Sequence, residues 1–270
     1  MKLSYAEYEF VLRRDLMSFV ERSFYELNPQ TNFSKGPHIE VMASRLEACR
    51  QGKTRRLIVN QPPRSLKSQA VSVAFVAWLL GHDPSMQIIC ASYGQDLADK
   101  HARDCRTLMM SDFYQRLFPR THLSTEKQSV NEFMTTAQGF RMSTSVGGVL
   151  TGRGADLIIL DDPLKPDDAL SDTRRNSVNE WYDNTLLSRL NSKETGIIII
   201  VMQRLHQDDL VGHVRIRRIG SPYRSQPLPK RMRFISSKAR WADEGSSARP
   251  EKPYKLSVSH CLRSRASARR

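Results

Sequence analysis

The stretch RLIVNQPPRSLKSQAVSVAFVAWLLG, residues 56–81, decides the fold class. Arg56–Asn60 is an apolar run of strand length, QPPRSLKS (61–68) is a polar, Pro-rich break, and VSVAFVAWLL (71–80) is long enough for a buried helix that Gly81 ends. Strand, loop and helix in that order build a parallel sheet, because a parallel neighbour is reached only by a crossover. The order recurs downstream. QIICAS (87–92) precedes a charged amphipathic stretch over Gln95–Met110, and DLIILDD (156–162) precedes a helical stretch, Ser171–Leu190, and a further apolar strand, TGIIIIVMQR (195–204). Short, nearly all-apolar runs separated by helices describe an α/β domain with a mostly parallel central sheet flanked by helices. EFMTTAQGFRMSTS (132–145) reads as a hairpin about Ala137–Gly139, Tyr5–Leu27 as one amphipathic helix, and 38–51 as a helix burying Ile39, Met42, Leu46 and Cys49. No internal repeat is seen.

Charge divides the 270 residues unevenly. The chain holds 42 Lys+Arg against 28 Asp+Glu, a net of +14. Residues 215–270 carry 16 basic and 3 acidic residues, which leaves 26 and 25 in 1–214. A nearly neutral domain therefore precedes a strongly basic segment, and the expected division is a lead segment 1–36, a domain 37–214 and a basic, low-order tail 215–270. The apolar runs fall short of the roughly 20 residues a membrane span needs, so no membrane association is expected. The start, MKLSYAEYEF, lacks the apolar core of a signal peptide. Cys49, Cys90, Cys105 and Cys261 show no ligand-pair spacing, which points to reduced thiols in a cytoplasm.

In open α/β sheets ligands collect at the carboxyl ends of strands, where Gln61–Ser68, Asp161–Asp162 and Gln203–Arg204 all fall. Against the phosphate-loop pattern GxxxxGK[ST], Lys67 and Ser68 hold the lysine and hydroxyl positions, while Gln61 and Leu66 replace the two glycines. On pattern alone a Pro-rich turn with a solvated lysine is as good a reading. DLIILDD adds an independent signal, an apolar strand that delivers carboxylates at its tip as a Walker B strand does. Alone, Asp162-Pro163 is a common turn dipeptide; together with a lysine loop 94 residues upstream, the nucleotide reading becomes the better one.

The blocks NQPPRSLKS (60–68), IICASYGQDLADKHARDCR (88–106), MSTSVGGVLTGRGADLIILDDPLK (142–165), RRNSVNEWYDNTLLSRL (174–190) and VMQRLHQDDLVGH (201–213) together resemble the ATPase domain of the large terminase subunit of tailed bacteriophages. The resemblance covers about residues 35–214 and implies a P-loop NTPase that uses ATP and Mg²⁺ to drive DNA packaging. It implies that Gln61, Pro62, Pro63, Arg64, Ser65, Leu66, Lys67 and Ser68 form the ATP-binding loop, with Lys67 on the β/γ-phosphates and Ser68 and Asp161 on the metal. Asp162 corresponds to the catalytic carboxylate. Arg64 is the first candidate for an arginine that stabilises transition-state charge, and Arg153 a second. Gln203 and Arg204 fall in the motif that relays the nucleotide state. His206 and Asp209 suggest capping rather than metal ligation, and the Trp181–Tyr182 pair suggests core. The implied partners are double-stranded DNA, a portal protein and a small terminase subunit, in a homo-oligomeric ring that acts in the bacterial cytoplasm at the procapsid. A decayed prophage remnant that keeps the fold without packaging is the alternative.

In that family a two-metal nuclease domain follows. Here only Asp243, Glu244 and Glu251 are acidic after residue 214, too few for the converging carboxylates of such a site, and no nuclease activity is expected. The tail has two readings. One is a basic arm attracted to DNA phosphates. The other, preferred, is a change of reading frame: the residues are compatible with codons that in another frame give Asp-Trp-Glu-Pro-Leu-Pro-Phe-Ala-Ala-Ile-Ala-Glu-Glu-Asp-Glu across Ile216–Phe234, similar to how the family continues.

Overall fold

The computed structural model describes residues 4–150, 152–220 and 233–236. Eight strands form one sheet: β1 Arg56–Asn60, β2 Gln87–Ser92, β3 Leu123–Gln128, β4 Glu132–Thr135, β5 Phe140–Ser145, β6 Leu157–Asp161, β7 Ile197–Met202 and β8 Arg233–Ser236. The α-helices are α1 Tyr5–Arg14, α2 Leu16–Leu27, α3 Pro37–Arg50, α4 Val76–His82, α5 Gln95–Met110, α6 Asp112–Leu117, α7 Asp172–Trp181 and α8 Leu210–Gly220. Across the sheet the order is β3-β4-β5-β2-β6-β7-β1-β8. The β3–β4 and β4–β5 pairs are antiparallel and the other five pairs are parallel.

Every residue of β1, β6 and β7 is buried, which is why these segments are almost wholly apolar rather than alternating. Successive side chains go to opposite faces. Leu57, Val59, Ile88, Ile159 and Ile199 share one core with Phe19, Leu46, Phe75 and Cys105 from the helices of the N-terminal half. Ile58, Ile89, Ile158 and Ile200 share the other with Val178, Trp181, Leu186 and Val211.

The strand order positions the site. β1, which leads into the lysine loop, and β6, which ends in the carboxylates, are not neighbours, because β7 lies between them. Asn60 aligns with Met202 and Asp161 with Val201, so the three strands end level and their following residues share one edge of the sheet.

Several local expectations change. Tyr5–Leu27 is two helices, broken at Asp15, which ends α1 and caps α2 by accepting the Ser18 amide at 2.8 Å. The helix after the lysine loop is a π-helix over Gln69–Phe75 before it becomes α4. Ser171–Leu190 is α-helical only over α7, then π over Tyr182–Leu186 and 3-10 over Leu187–Arg189. The hairpin is present as β4 and β5, with β3 added in a stretch that has no strand signal. The boundary drawn at Val214 falls inside α8, and β8 pairs in parallel with β1 and buries Ile235. Four residues flanked by basic ones give no periodicity from which such a strand can be read. Residues 221–232 and 237–270, with Asp243, Glu244 and Glu251, lie outside the described residues, so the expectations for the tail and the absent nuclease centre fall there. No helix among the described residues is long and apolar enough to cross a membrane.

Candidate functional site

The loop after β1 is pinned at both ends. Gln61 donates its amide to the Met202 carbonyl at 3.2 Å, and Ala70 donates to the Leu66 carbonyl at 2.9 Å as the following helix begins. Within it, Ser65 Oγ donates to the Pro62 carbonyl at 2.8 Å, and His38 Nε2 lies 3.3 Å from the Ser65 carbonyl. Pro62, Pro63 and Arg64 are exposed, while Gln61, Ser65 and Lys67 are buried. Arg64 and Leu66 both adopt left-handed backbone, φ +59° and +60°. Leu66 thus takes, at the glycine position of the phosphate-loop pattern, the conformation for which glycine is favoured there. Left-handed residues in a turn direct successive N–H groups to one side, a concavity suited to an anion, and the first amides of the next helix add to it. The strain is roughly 1–2 kcal/mol for a non-glycine residue, offset in part by packing of the half-buried Leu66 side chain on the core.

Four side chains converge where the loop meets the tip of β6. Lys67 Nζ stands 3.0 Å from Asp162 Oδ2, with the lysine side chain 7% and the aspartate side chain 25% exposed. Ser68 Oγ donates to Asp161 Oδ1 at 2.9 Å. Asp161 is buried, and burial pushes its carboxyl above the ordinary range, opposed by hydrogen bonds from Ser72 and Ser68 and by the charges of Lys67 and Arg141. Asp162 is raised as well, first by burial and then by the charge of Asp161, against Lys67 and the Gln203 amide. Its backbone is left-handed at φ +46°, a region aspartate and asparagine tolerate better than most side chains. It is held there by its own amide to Val201 at 2.8 Å and by the Tyr93 amide to its carbonyl at 3.1 Å.

Gln203 lies at the tip of β7, between the two, and its main-chain N–H favours the ionised form of the Asp162 carboxylate. Arg204 is turned into its own loop: Nε donates to Asp209 Oδ2 at 2.9 Å and Nη2 to the carbonyls of His206 and Gln207, each at 3.0 Å. Asp209 is fully buried and also accepts the amides of Leu205, His206 and Gly212. Asp209 therefore caps α8 and braces the turn, as its spacing suggested. Trp181 and Tyr182 are core residues.

The two arginine candidates separate. Arg64 is exposed on the loop itself. Arg153 pairs with Glu132 at 2.7 Å and lies over the Phe140 ring, so its described partners belong to β4 and β5 and none to the loop. Three residues of the site carry no motif. Ser72 Oγ donates to Asp161 Oδ2 at 2.5 Å; its i, i+4 spacing from Ser68 was the available signal. His101 Nδ1 lies 3.6 Å from the same oxygen, and burial, with Arg141 and Lys100, pushes its pKa down to about 4. It is therefore neutral at physiological pH, and this contact is not an ion pair. Arg141, on β5, is fully buried with all three guanidinium nitrogens lacking a hydrogen-bond partner among the described residues.

Among the described residues no group of three or more His, Cys, Asp and Glu is placed to hold a metal. The adjoining oxygens of Ser68 and Asp161 suit an ion that takes one or two protein oxygens and fills its shell with phosphate and water, as magnesium does.

No protein-family model and no curated protein matches the sequence. Among solved structures, the chain is similar to the HK97 bacteriophage large terminase, with a TM-score of 0.51 and 15% identity over 74% of this chain and 39% of that one. It is also similar to a mutant of the Thermus phage P74-26 large terminase ATPase domain, with a TM-score of 0.47 and 15% identity over 67% of this chain and 69% of that one. The chain thus spans well under half of the HK97 protein. The first likeness gives it the fold of a phage large-terminase ATPase-type domain: mixed α/β, with a mostly parallel central sheet between helices.

Proposed function

We propose that this chain is an ATP-hydrolysing, magnesium-dependent motor domain that translocates double-stranded DNA during phage packaging, working as a ring of subunits with portal and small-terminase partners. The observation that carries the reading is the meeting of two pairs across the sheet, Lys67 with Asp162 at 3.0 Å and Ser68 with Asp161 at 2.9 Å. A lysine and a hydroxyl from one strand end and two carboxylates from another are the parts phosphoryl transfer needs, because that chemistry depends on positioning and charge stabilisation rather than covalent catalysis.

In this mechanism the left-handed turn at Arg64 and Leu66 offers its amides to the phosphates, and Lys67 exchanges Asp162 for a phosphate oxygen. Asp162, released from the lysine, orients the attacking water and accepts its proton. Ser68 and Asp161 would hold the magnesium ion, which when bound neutralises charge on the β- and γ-phosphates. Arg64, exposed on the loop, is free to reach the transferring group, whereas Arg153 is committed to Glu132. Gln203 touches Asp162 from the β7 tip and so senses whether the carboxylate is held by lysine or free, while Arg204 and Asp209 stiffen the turn that transmits the change to α8.

Magnesium-dependent nucleotide binding and ATP hydrolysis by the full chain, with Lys67→Ala beside it, test the reading. Loss of both on substitution is expected. Activity indifferent to the change would remove Lys67 from the mechanism, and a wild type that binds no nucleotide would favour the inherited fold without function.

A further inference from the structure

Asp161 accepts hydroxyl protons on both oxygens, Oδ1 from Ser68 at 2.9 Å and Oδ2 from Ser72 at 2.5 Å. The two serines leave the lysine loop on one helical segment, and Ser72 lies in its π-helical part, Gln69–Phe75. Such departures from α geometry gather at functional sites. Ser72 is fully buried, and its hydroxyl is given to Asp161. We infer that Ser72 is a positioning residue for the metal-holding carboxylate: it fixes the orientation of Asp161 so that Oδ1 stays on the side of Ser68 and of an incoming magnesium ion. The inference rests on the proposed ATPase reading and assigns a role to a residue outside its motifs.

The physical need is specific. A carboxylate with 1% exposure must have its lone pairs satisfied by protein. His101, whose Nδ1 stands 3.6 Å from Oδ2, is too far to replace a hydrogen bond. Without Ser72, Oδ2 is left buried and unpaired, and the carboxylate is free to turn towards whichever donor remains. Groups that orient a metal ligand through such a bond change metal affinity by roughly 10- to 100-fold when removed.

The test uses the full chain and a fluorescent ADP analogue, titrated with and without magnesium. Ser72→Ala should raise the half-saturating magnesium concentration for nucleotide binding at least tenfold, while nucleotide affinity without the metal stays close to wild type; the melting temperature should fall by several degrees, because a buried acceptor loses its donor. Ser72→Cys, similar in size and a weaker donor, should fall between the two. Three results overturn the assignment. One is an alanine variant with the wild-type magnesium dependence. Another is an equal loss of affinity with and without the metal, which would make Ser72 a packing residue only. The third, a wild type that binds no nucleotide at any magnesium concentration, refutes the ATPase reading and the inference with it, and so is distinct from the first two.

Discussion

Under the proposed mechanism, Asp162→Asn is expected to stabilise the protein while sharply cutting ATP turnover. The left-handed backbone at φ +46° accepts asparagine, and the main-chain bonds to Val201 and from Tyr93 are independent of the side chain. What changes is one charge. At 3.0 Å from Lys67, that charge gains about 5–6 kcal/mol of gross attraction at an effective dielectric near 20. Yet the Asp162 carboxyl is raised, not lowered, because burial and the neighbouring Asp161 charge outweigh the lysine. The sign follows by linkage. A carboxyl whose folded pKa exceeds its unfolded value contributes stability that is present below the unfolded pKa and lost as pH rises through the folded one. In its ionised form the side chain is therefore a liability, and asparagine imitates its protonated form. Relief on the order of 1 kcal/mol, typical of a functional site relaxed by mutation, corresponds to a melting temperature higher by about 2–4 °C for a domain of this size. Thermal melts of both proteins at neutral pH should show that gap, and it should close as pH falls through the folded pKa of Asp162. In the same samples ATP turnover should drop by roughly 10²- to 10⁴-fold, the usual contribution of a positioned general base, with nucleotide affinity retained. A variant that melts several degrees lower would show that the Lys67 attraction dominates after all. A turnover within tenfold of wild type would remove Asp162 from proton transfer.

Asp209→Ala should cost about 3–5 kcal/mol, because it strips a buried acceptor from three amides and the Arg204 guanidinium at once; the melting temperature should fall by roughly 10 °C, and a drop under two degrees would show that the turn holds without it. For Leu66→Gly, relief of about 1–2 kcal/mol of left-handed strain is set against about 0.5–1 kcal/mol of glycine chain entropy and the lost partial packing. Its melting temperature should therefore stay within about 4 °C of wild type. Leu66→Ile keeps the volume but places a β-branched side chain in a backbone region where it is a genuine outlier, and it should melt lower; an isoleucine variant equal to wild type would count against the left-handed loop.

How far the sequence discloses this molecule depends on what each feature needs. β1, β6 and β7 are legible because a strand buried on both faces must be apolar throughout, and the residues at their tips stand out against that background. α5 is legible from its period. The placing of β7 between β1 and β6 is not, since strand order is decided by how crossovers pack and leaves no local mark on the chain. For the same reason no motif singles out Ser72, His101 or Arg141: each reaches the Asp161 neighbourhood through tertiary packing alone. The break at Asp15 was missed because the apolar pattern continues across it, although the aspartate followed three residues later by Ser18 is a capping arrangement. Arg153 shows the opposite failure. It sits in a motif-like segment, and its pairing with Glu132 and its place over the Phe140 ring set it apart from Arg64, a tertiary difference the sequence does not carry.

The strand order also decides what the site does when no phosphate is in it. With β7 between β1 and β6, Lys67 and Asp162 still meet at 3.0 Å, so in the proposed mechanism the lysine occupies the carboxylate it later leaves. Under that mechanism a self-paired site would suppress idle chemistry, since the carboxylate is held by the lysine and the lysine by the carboxylate. In the proposed mechanism both are released by one event, the exchange of a carboxylate for a phosphate oxygen at Lys67 Nζ. The Gln203 main-chain N–H, which favours the ionised form of that carboxylate, would be the first group outside the loop to feel the exchange. In that mechanism the relay would start at β7 because this is the strand that lies between the released partners.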